Sequence, residues 1–310
     1  MLTIRRLLAG MLVLCVLAAP GRAADAEKYL PNSTEGVVTI NVKQMLTAPL
    51  VKNNIDTLKG LILGAGNTQQ ILTDLGLDPF QHIDSIVVGV DSNPAQSVAV
   101  VNGTFDVAKI KAHIEKAVAN NSKIVKIAKT AAYTYYEVKP PEQDETMYVA
   151  VLDGTTVAAS PSRDAVIDAL DKKAGKKQGA LKKDLAALLA KADKNQSISL
   201  VALGGALAAT GHPAAAKVTT LSGGITLADD VKAQIILNTA NANDAKAVEA
   251  DLKEGLDQIK ALVDLTVNNN KELQPLLEVV GTLKLAASGS SVTLTGQISK
   301  NVINSLVPKQ

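Results

Sequence analysis

Two stretches decide how this chain folds: Met147–Ser160, MYVAVLDGTTVAAS, and Leu283–Ile298, LKLAASGSSVTLTGQI. In the first, Met147–Leu152 and Thr155–Ala159 carry the β-branched and alternating pattern of strands, and Asp153 and Gly154 supply the turn chemistry that closes a hairpin. In the second, Leu283–Ala287 and Val292–Ile298 do the same over Ser288 and Gly289. Strands joined by tight turns are antiparallel, and helices that follow them must cover a face of the resulting sheet.

Working outward, the surroundings of the two hairpins match. Before the first lie a strand pair, Ile83–Asp91 and Ser97–Phe105, and a helix carrying Val107, Ile110, Ile114 and Val118 at helical spacing. Before the second lie Leu221–Ala228 and Val231–Thr239, paired across Asp229 and Asp230, and a long helix carrying Val248, Leu252, Leu256, Ile259, Leu262 and Val263. Val87–Ala117 aligns with Ile225–Gly255 at nearly the same offset that aligns the hairpins. The sequence therefore predicts an α+β protein of two related halves, each an antiparallel sheet with helices packed on one face, derived from an internal duplication. Two repeats are too few for a solenoid. Gly36–Val42 and Ser197–Leu203 are the opening strands of the halves, Ile124–Ile127 and Tyr133–Val138 further strands of the first. Pro49 opens a helical stretch with Leu50, Val51, Ile55, Leu58, Leu61 and Ile62 on one face, and a short helix follows through Ile71, Leu72 and Leu75. A helix from Ser162 to Leu170 closes the first half. The last helix runs through Val302, Ile303 and Leu306.

The domain reading is a signal peptide over 1–23, a first half over 24–171, a lysine-rich linker over 172–184 and a second half over 185–310. The leader has Arg5 and Arg6, the apolar run Leu7–Ala19, then Pro20 and small residues, with Gly21 and Ala23 placed for a cut before Ala24. Its apolar run falls short of the roughly 20 residues a membrane span needs. The strongly apolar run after the arginine pair favours the general secretory route over twin-arginine export, and Leu14 before Cys15 does not fit a lipidation site. The expectation is export to the periplasm or the exterior.

Of the 310 residues, 32 are basic and 30 acidic. Without Arg5, Arg6 and Arg22 the two signs nearly balance, which disfavours a nucleic-acid partner. The single cysteine, Cys15, leaves with the leader. The mature chain then folds without disulfides and has no thiol nucleophile or thiolate ligand. Tryptophan is absent, and the five tyrosines and two phenylalanines all precede residue 150. The second half must pack with aliphatic side chains alone.

Candidate chemistry is thin. His82 and Asp84 have a spacing that places both on one face of a strand as a metal pair; a solvated strand end explains them equally. Glu142, Asp144 and Glu145 follow Pro140 and Pro141 on an exposed loop without the spacing of a calcium loop. His113 is read as facing solvent on its helix, and His212 as a turn residue between Gly211 and Pro213. Asp229 and Asp230 read as turn residues. Gly204, Gly205 and Gly211 interrupt the uncharged stretch 195–216 and match neither a phosphate loop nor a dinucleotide fingerprint. That interruption, with the strand Ser197–Leu203, argues against a stable membrane span there. Lys172, Lys173, Lys176, Lys177, Lys182 and Lys183 read as a solvated linker, with an anionic surface as the alternative. No serine has the setting of an acylating nucleophile. No catalytic, cofactor-binding or metal residue is assigned, and no cofactor is expected.

The opening AEKYLPNSTEGVVTINVKQMLTAPLVKN, through Tyr29–Leu30–Pro31, Gly36–Val42 and Pro49–Lys52, resembles a group of exported, uncharacterised proteins of planctomycete bacteria. That resemblance implies export and carries no activity. The expected function is a non-catalytic envelope protein, structural or interaction module, whose partner is an envelope protein or an apolar ligand. The alternatives are a carrier of an apolar ligand or lipid, with the helix Asp244–Asp264 as its lid, and a carboxylate- or metal-dependent enzyme using His82, Asp84 and the Glu142–Glu145 loop.

Overall fold

The computed structural model describes residues 26–63, 72, 77–120, 123–139, 145–208, 211–270 and 274–306. The leader, Cys15, Glu142 and Asp144 lie outside the described residues, as does most of the helix expected around Ile71–Leu75. The protein is α+β. The chain forms two compact units, one of residues 1–47 and 54–183, the other of 48–53 and 184–310.

In chain order the first half runs β1 (Gly36–Ile40), α1 (Val42–Thr47), α2 (Pro49–Asn53), α3 (Ile55–Leu63), α4 (Pro79–His82), β2 (Ile83–Val90), β3 (Val98–Gly103), α5 (Val107–Ala119), β4 (Val125–Lys129), β5 (Thr134–Val138), β6 (Met147–Asp153), β7 (Thr156–Ser160) and α6 (Arg163–Lys173). The second runs α7 (Lys183–Lys191), β8 (Ile198–Leu203), α8 (Gly204–Ala208), β9 (Val218–Leu227), β10 (Val231–Thr239), α9 (Ala242–Asn269), α10 (Pro275–Gly281), β11 (Lys284–Ser288), β12 (Ser291–Ile298) and α11 (Lys300–Leu306).

Local chemistry sets these boundaries. Asp153 pairs with Thr156 across the first hairpin, and its carboxylate accepts from the Thr155 amide at 2.8 Å, so Gly154 and Thr155 form the tight loop. Ser288 pairs with Ser291 across the second, where Gly289 adopts φ +58. Asp106 caps α5 through the Lys109 amide at 2.9 Å, and Ser162 caps α6 through Ala165 at 3.3 Å, each satisfying an orphan donor of its first turn.

Within the first unit the strand order is β1-β2-β3-β7-β6-β5-β4, and within the second β8-β9-β10-β12-β11. The first five strands of one follow the order of the other. All pairings within the units are antiparallel. The first unit goes beyond the one-sided cover expected from sequence. One core joins Ile86, Val88, Ala99, Val101 and Val157 to Ile110 and Ile114 of α5. The alternate residues Val87, Val98, Val100 and Ala158 are buried as well, on the face where α6 packs against β6 and β7 with Val166 and Ala169. Strands buried on both faces read as continuous apolar runs, and VAVVNG and TVAAS do.

Two domain expectations need correcting. The first half is not one contiguous unit, because α2 belongs with the second: the Leu50 amide donates to Ala228 at 3.1 Å, and Ala48 and Val51 are buried. Nor is 172–184 a free linker, because the first unit extends to Lys183. Lys172, its side chain 3% exposed, donates to the Leu30 carbonyl at 2.6 Å and pairs with Asp168 at 2.6 Å. Lys173 pairs with Asp153, Lys177 with Asp168 at 2.9 Å, and Lys182 with Glu35 at 2.6 Å. Lys176 lies 4.6 Å from the centre of the Tyr133 ring. A lysine run reads as solvated because sequence does not reveal which carboxylates, carbonyls and rings the fold will bring to it.

These pairs predict an acid response. Burial alone would push the Asp153 carboxyl up, but hydrogen bonds from Lys173 and Thr155 outweigh it and bring it down to about 2. Burial likewise opposes, and Lys172 and Lys177 overcome, a lowering at Asp168. A carboxyl depressed in the folded state contributes stability above its unfolded value of 3.8, and loses it as pH falls toward the folded one. Thermal unfolding followed by circular dichroism is therefore expected to shift to lower temperature between pH about 4 and 2. Asp153→Asn is expected to be less stable than wild type at neutral pH, with the gap closing toward pH about 2. A gap independent of pH would sink this assignment.

Candidate functional site

Among the described residues, those singled out from sequence do not gather into one site. His82 ends α4, where its Nδ1 accepts from the Asp78 amide at 3.0 Å, so that nitrogen serves the local turn instead of a metal. Asp84 is half-buried within β2, and Glu145 is exposed. His113 is half-buried on α5 and not fully solvent-facing. His212 is exposed, accepts from the Ala214 amide at 3.3 Å and lies 3.7 Å from Asp251. Asp229 and Asp230 sit at the β9–β10 turn, partnered by Lys300 at 3.5 Å and by Gln297. Among the described residues no three His, Cys, Asp or Glu side chains are placed to hold a metal ion, and no helix is long and apolar enough to cross a membrane.

What the structure does present is α9. Its start is firmly held: Asn241 accepts from the Asn243 and Asp244 amides at 3.0 Å each, and Asp244 in the first turn complements the helix dipole. Glu249 then accepts from the Ala287 amide on β11 at 3.0 Å, tying the helix to the edge strand and blunting that edge. Ala245 and Val248 are fully buried against Val218 and Val292, with half-buried Leu252 packed beside them.

From Ala245 the same face continues by alternate steps of three and four through Val248, Leu252, Gly255, Ile259, Leu262 and Thr266. Its cover does not continue. Residues 257–262 are all exposed, more than a full turn open on every side. Ile259 is 47% exposed, Leu262 63% and Leu265 62%. Val267 is buried again near the far end, where α9 meets α10.

The first unit explains the overhang. There the equivalent helix, α5, spans Val107–Ala119, packs against β4, and is followed by β4 and β5. Among the described residues the second unit has no strands at that point of its order, and its helix is 28 residues long, or about 42 Å. A longer helix with fewer strands beneath it leaves core-type side chains uncovered.

The sheet of the second unit is unevenly closed as well. By register Ala202, Leu221, Leu237, Val292 and Ala287 form one row across five strands, and this row lies under the start of α9. The next apolar row, Leu200, Gly223, Ile235, Leu294 and Leu285, is only half-buried. The sequence pattern identified α9 as amphipathic but not where its cover stops.

The class of protein defined by this fold is α+β with antiparallel strand order repeated in two units. No family description and no curated protein matches the chain. Among solved structures it is similar to crystal form I of TP0453, with TM-score 0.49 and 10% identity over 92% of this chain and 97% of that one.

Proposed function

We propose that this is an exported, non-catalytic module of the cell envelope that works by binding, through the outer half of α9. The observation that carries this reading is the apolar stripe that serves as core at Ala245 and Val248 and is exposed at Ile259 and Leu262. Large apolar side chains exposed as a contiguous patch mark sites of contact with proteins, membranes or ligands. The leader supports export, the repeated strand order supports an internal duplication, and the lack of any sequence pattern for a nucleophile, base or metal set supports a non-catalytic role.

Leu262→Glu tests it, because a side chain this exposed is replaceable without loss of folding. Wild type and variant are compared for concentration-dependent mass, retention on zwitterionic lipid vesicles, and enhancement of anilinonaphthalene sulfonate fluorescence. The apparent affinity behind at least one signal is expected to fall tenfold or more, which corresponds to about 1.4 kcal/mol of binding. A variant equal to wild type in all three would overturn the reading. Turnover of an ester, glycoside or phosphate ester, abolished by one polar substitution, would overturn the non-catalytic part.

A second reading, a carrier for an apolar ligand, is favoured by the half-buried row from Leu200 to Leu285. Its test is the mass of protein purified from an exporting host, native against denaturing. A non-covalent excess in the native spectrum identifies a ligand, and equality removes this reading.

A further inference from the structure

Resting on that reading of the helix, we infer that the partner of the outer half of α9 is the same helix of a second copy, lying antiparallel across it. Beyond Leu252, which packs in its own core, the steps of four and three from Gly255 through Ile259 and Leu262 to Thr266 are the spacing of a coiled-coil seam. The positions flanking that seam are Leu256, Gln258, Val263 and Leu265, none of them charged. Every charged residue between 252 and 266 falls off it: Lys253, Glu254, Asp257, Lys260 and Asp264.

The charges around this stripe suit another helix better than a membrane surface. Interfacial helices present a wide apolar face and a polar face rich in lysine and arginine. Here the polar face mixes both signs, and Lys260 lies 3.5 Å from Asp257 of its own helix.

The stripe is also complementary to itself when reversed. Antiparallel pairing sets Ile259 against Leu262 of the second copy, and the reciprocal pair by symmetry. Gly255 meets Thr266, a small residue opposite a larger one. Leu256 flanks Val263, Gln258 flanks Leu265, and no like charges are brought together. The anchored end of α9 carries its own sheet, so the reversed arrangement sends the two bodies to opposite ends of the pair, whereas a parallel one sets them side by side. Exposure of every residue from 257 to 262 leaves room for the approach. Two heptads bury less than the roughly 1,200 Å² of a lasting interface, so the dimer is a weak one and is sought at about 100 µM chain, where a Kd of that order half-populates it.

The test uses chain purified from an exporting host in a C15S background, where an introduced cysteine is the sole thiol. Ile259→Cys and Leu262→Cys are prepared separately and oxidised mildly at that concentration, each alone and mixed. The mixture is expected to give severalfold more covalent dimer than either variant alone, and native mass spectrometry to show a dimer that Leu262→Glu removes. Leu262→Gln, which adds no charge, serves as the milder second variant and is expected to weaken the dimer. A chain that stays monomeric, self-coupling of each variant equal to the mixture, or a dimer unaffected by Leu262→Glu would each overturn the inference. If the chain stays monomeric while Leu262→Glu still loses vesicle retention or dye fluorescence, only the choice of partner falls. If Leu262→Glu changes none of these signals, the reading of the helix falls with it.

Discussion

Lys172→Ala is expected to destabilise the first unit by about 1–3 kcal/mol, because it takes a buried donor from a carbonyl and one of two cationic partners from a carboxylate. The side chain is 3% exposed, and its ammonium joins two groups: the Asp168 carboxylate on its own helix and the Leu30 carbonyl before β1. Removing it leaves Asp168 with Lys177, a half-exposed side chain at 2.9 Å, and leaves the Leu30 carbonyl without this donor. Buried polar atoms without partners are costly, which is why the loss exceeds that of a surface ion pair. Urea unfolding at neutral pH gives the number through the shift in midpoint at constant slope. The companion variant pairs Lys172→Met with Asp168→Leu, replacing both charges by apolar groups. It is expected to recover most of the loss, since a satisfied buried pair and its apolar replacement are often nearly equal in stability. A single variant within about 0.5 kcal/mol of wild type would mean that the lysine is solvated after all.

How far the sequence reveals this molecule follows from the range of the forces involved. Hairpins, helical spacing and strand alternation are written in neighbouring residues, so Asp153–Gly154, the steps from Val107 to Val118 and the pattern VTLTGQI lead to the right elements. The paired halves follow too, since the same local signals occur twice in the same order. What sequence hides is long-range. Lys172 and Leu30, or Lys182 and Glu35, are brought together only by the completed sheet. Pro49–Asn53 reads as the start of a helix in the first half, yet Val51 is buried with the second unit, because an apolar face does not say which core it will enter. At α9 the pattern over Val248 to Val263 predicts an amphipathic helix correctly. An apolar stripe, however, looks the same whether strands lie beneath it or are missing.

Gly179→Ala is expected to cost as much as an overpacked core, about 1–3 kcal/mol or more, although Gly179 lies in the stretch that reads as a linker. A β-carbon there would stand 1.8 Å from the Lys28 carbonyl oxygen and 2.6 Å from its carbon, and backbone cannot step aside as a flexible side chain can. The segment must lift off, stretching the bond from the Ala180 amide to Asn32 at 3.2 Å and the Lys182–Glu35 pair at 2.6 Å. Gly175 is the control four residues earlier. Its φ of +72 makes alanine unfavourable by about 1–2 kcal/mol, but nothing lies within 4 Å of the new carbon, so the strain stays local. Hydrogen exchange separates the two: Gly179→Ala is expected to lose protection across residues 27–35 as well as 176–183, and Gly175→Ala only around its own turn. Equal, local effects from both would return 172–184 to a tether. Unequal effects make it a clasp that closes the first unit over residues 27–35.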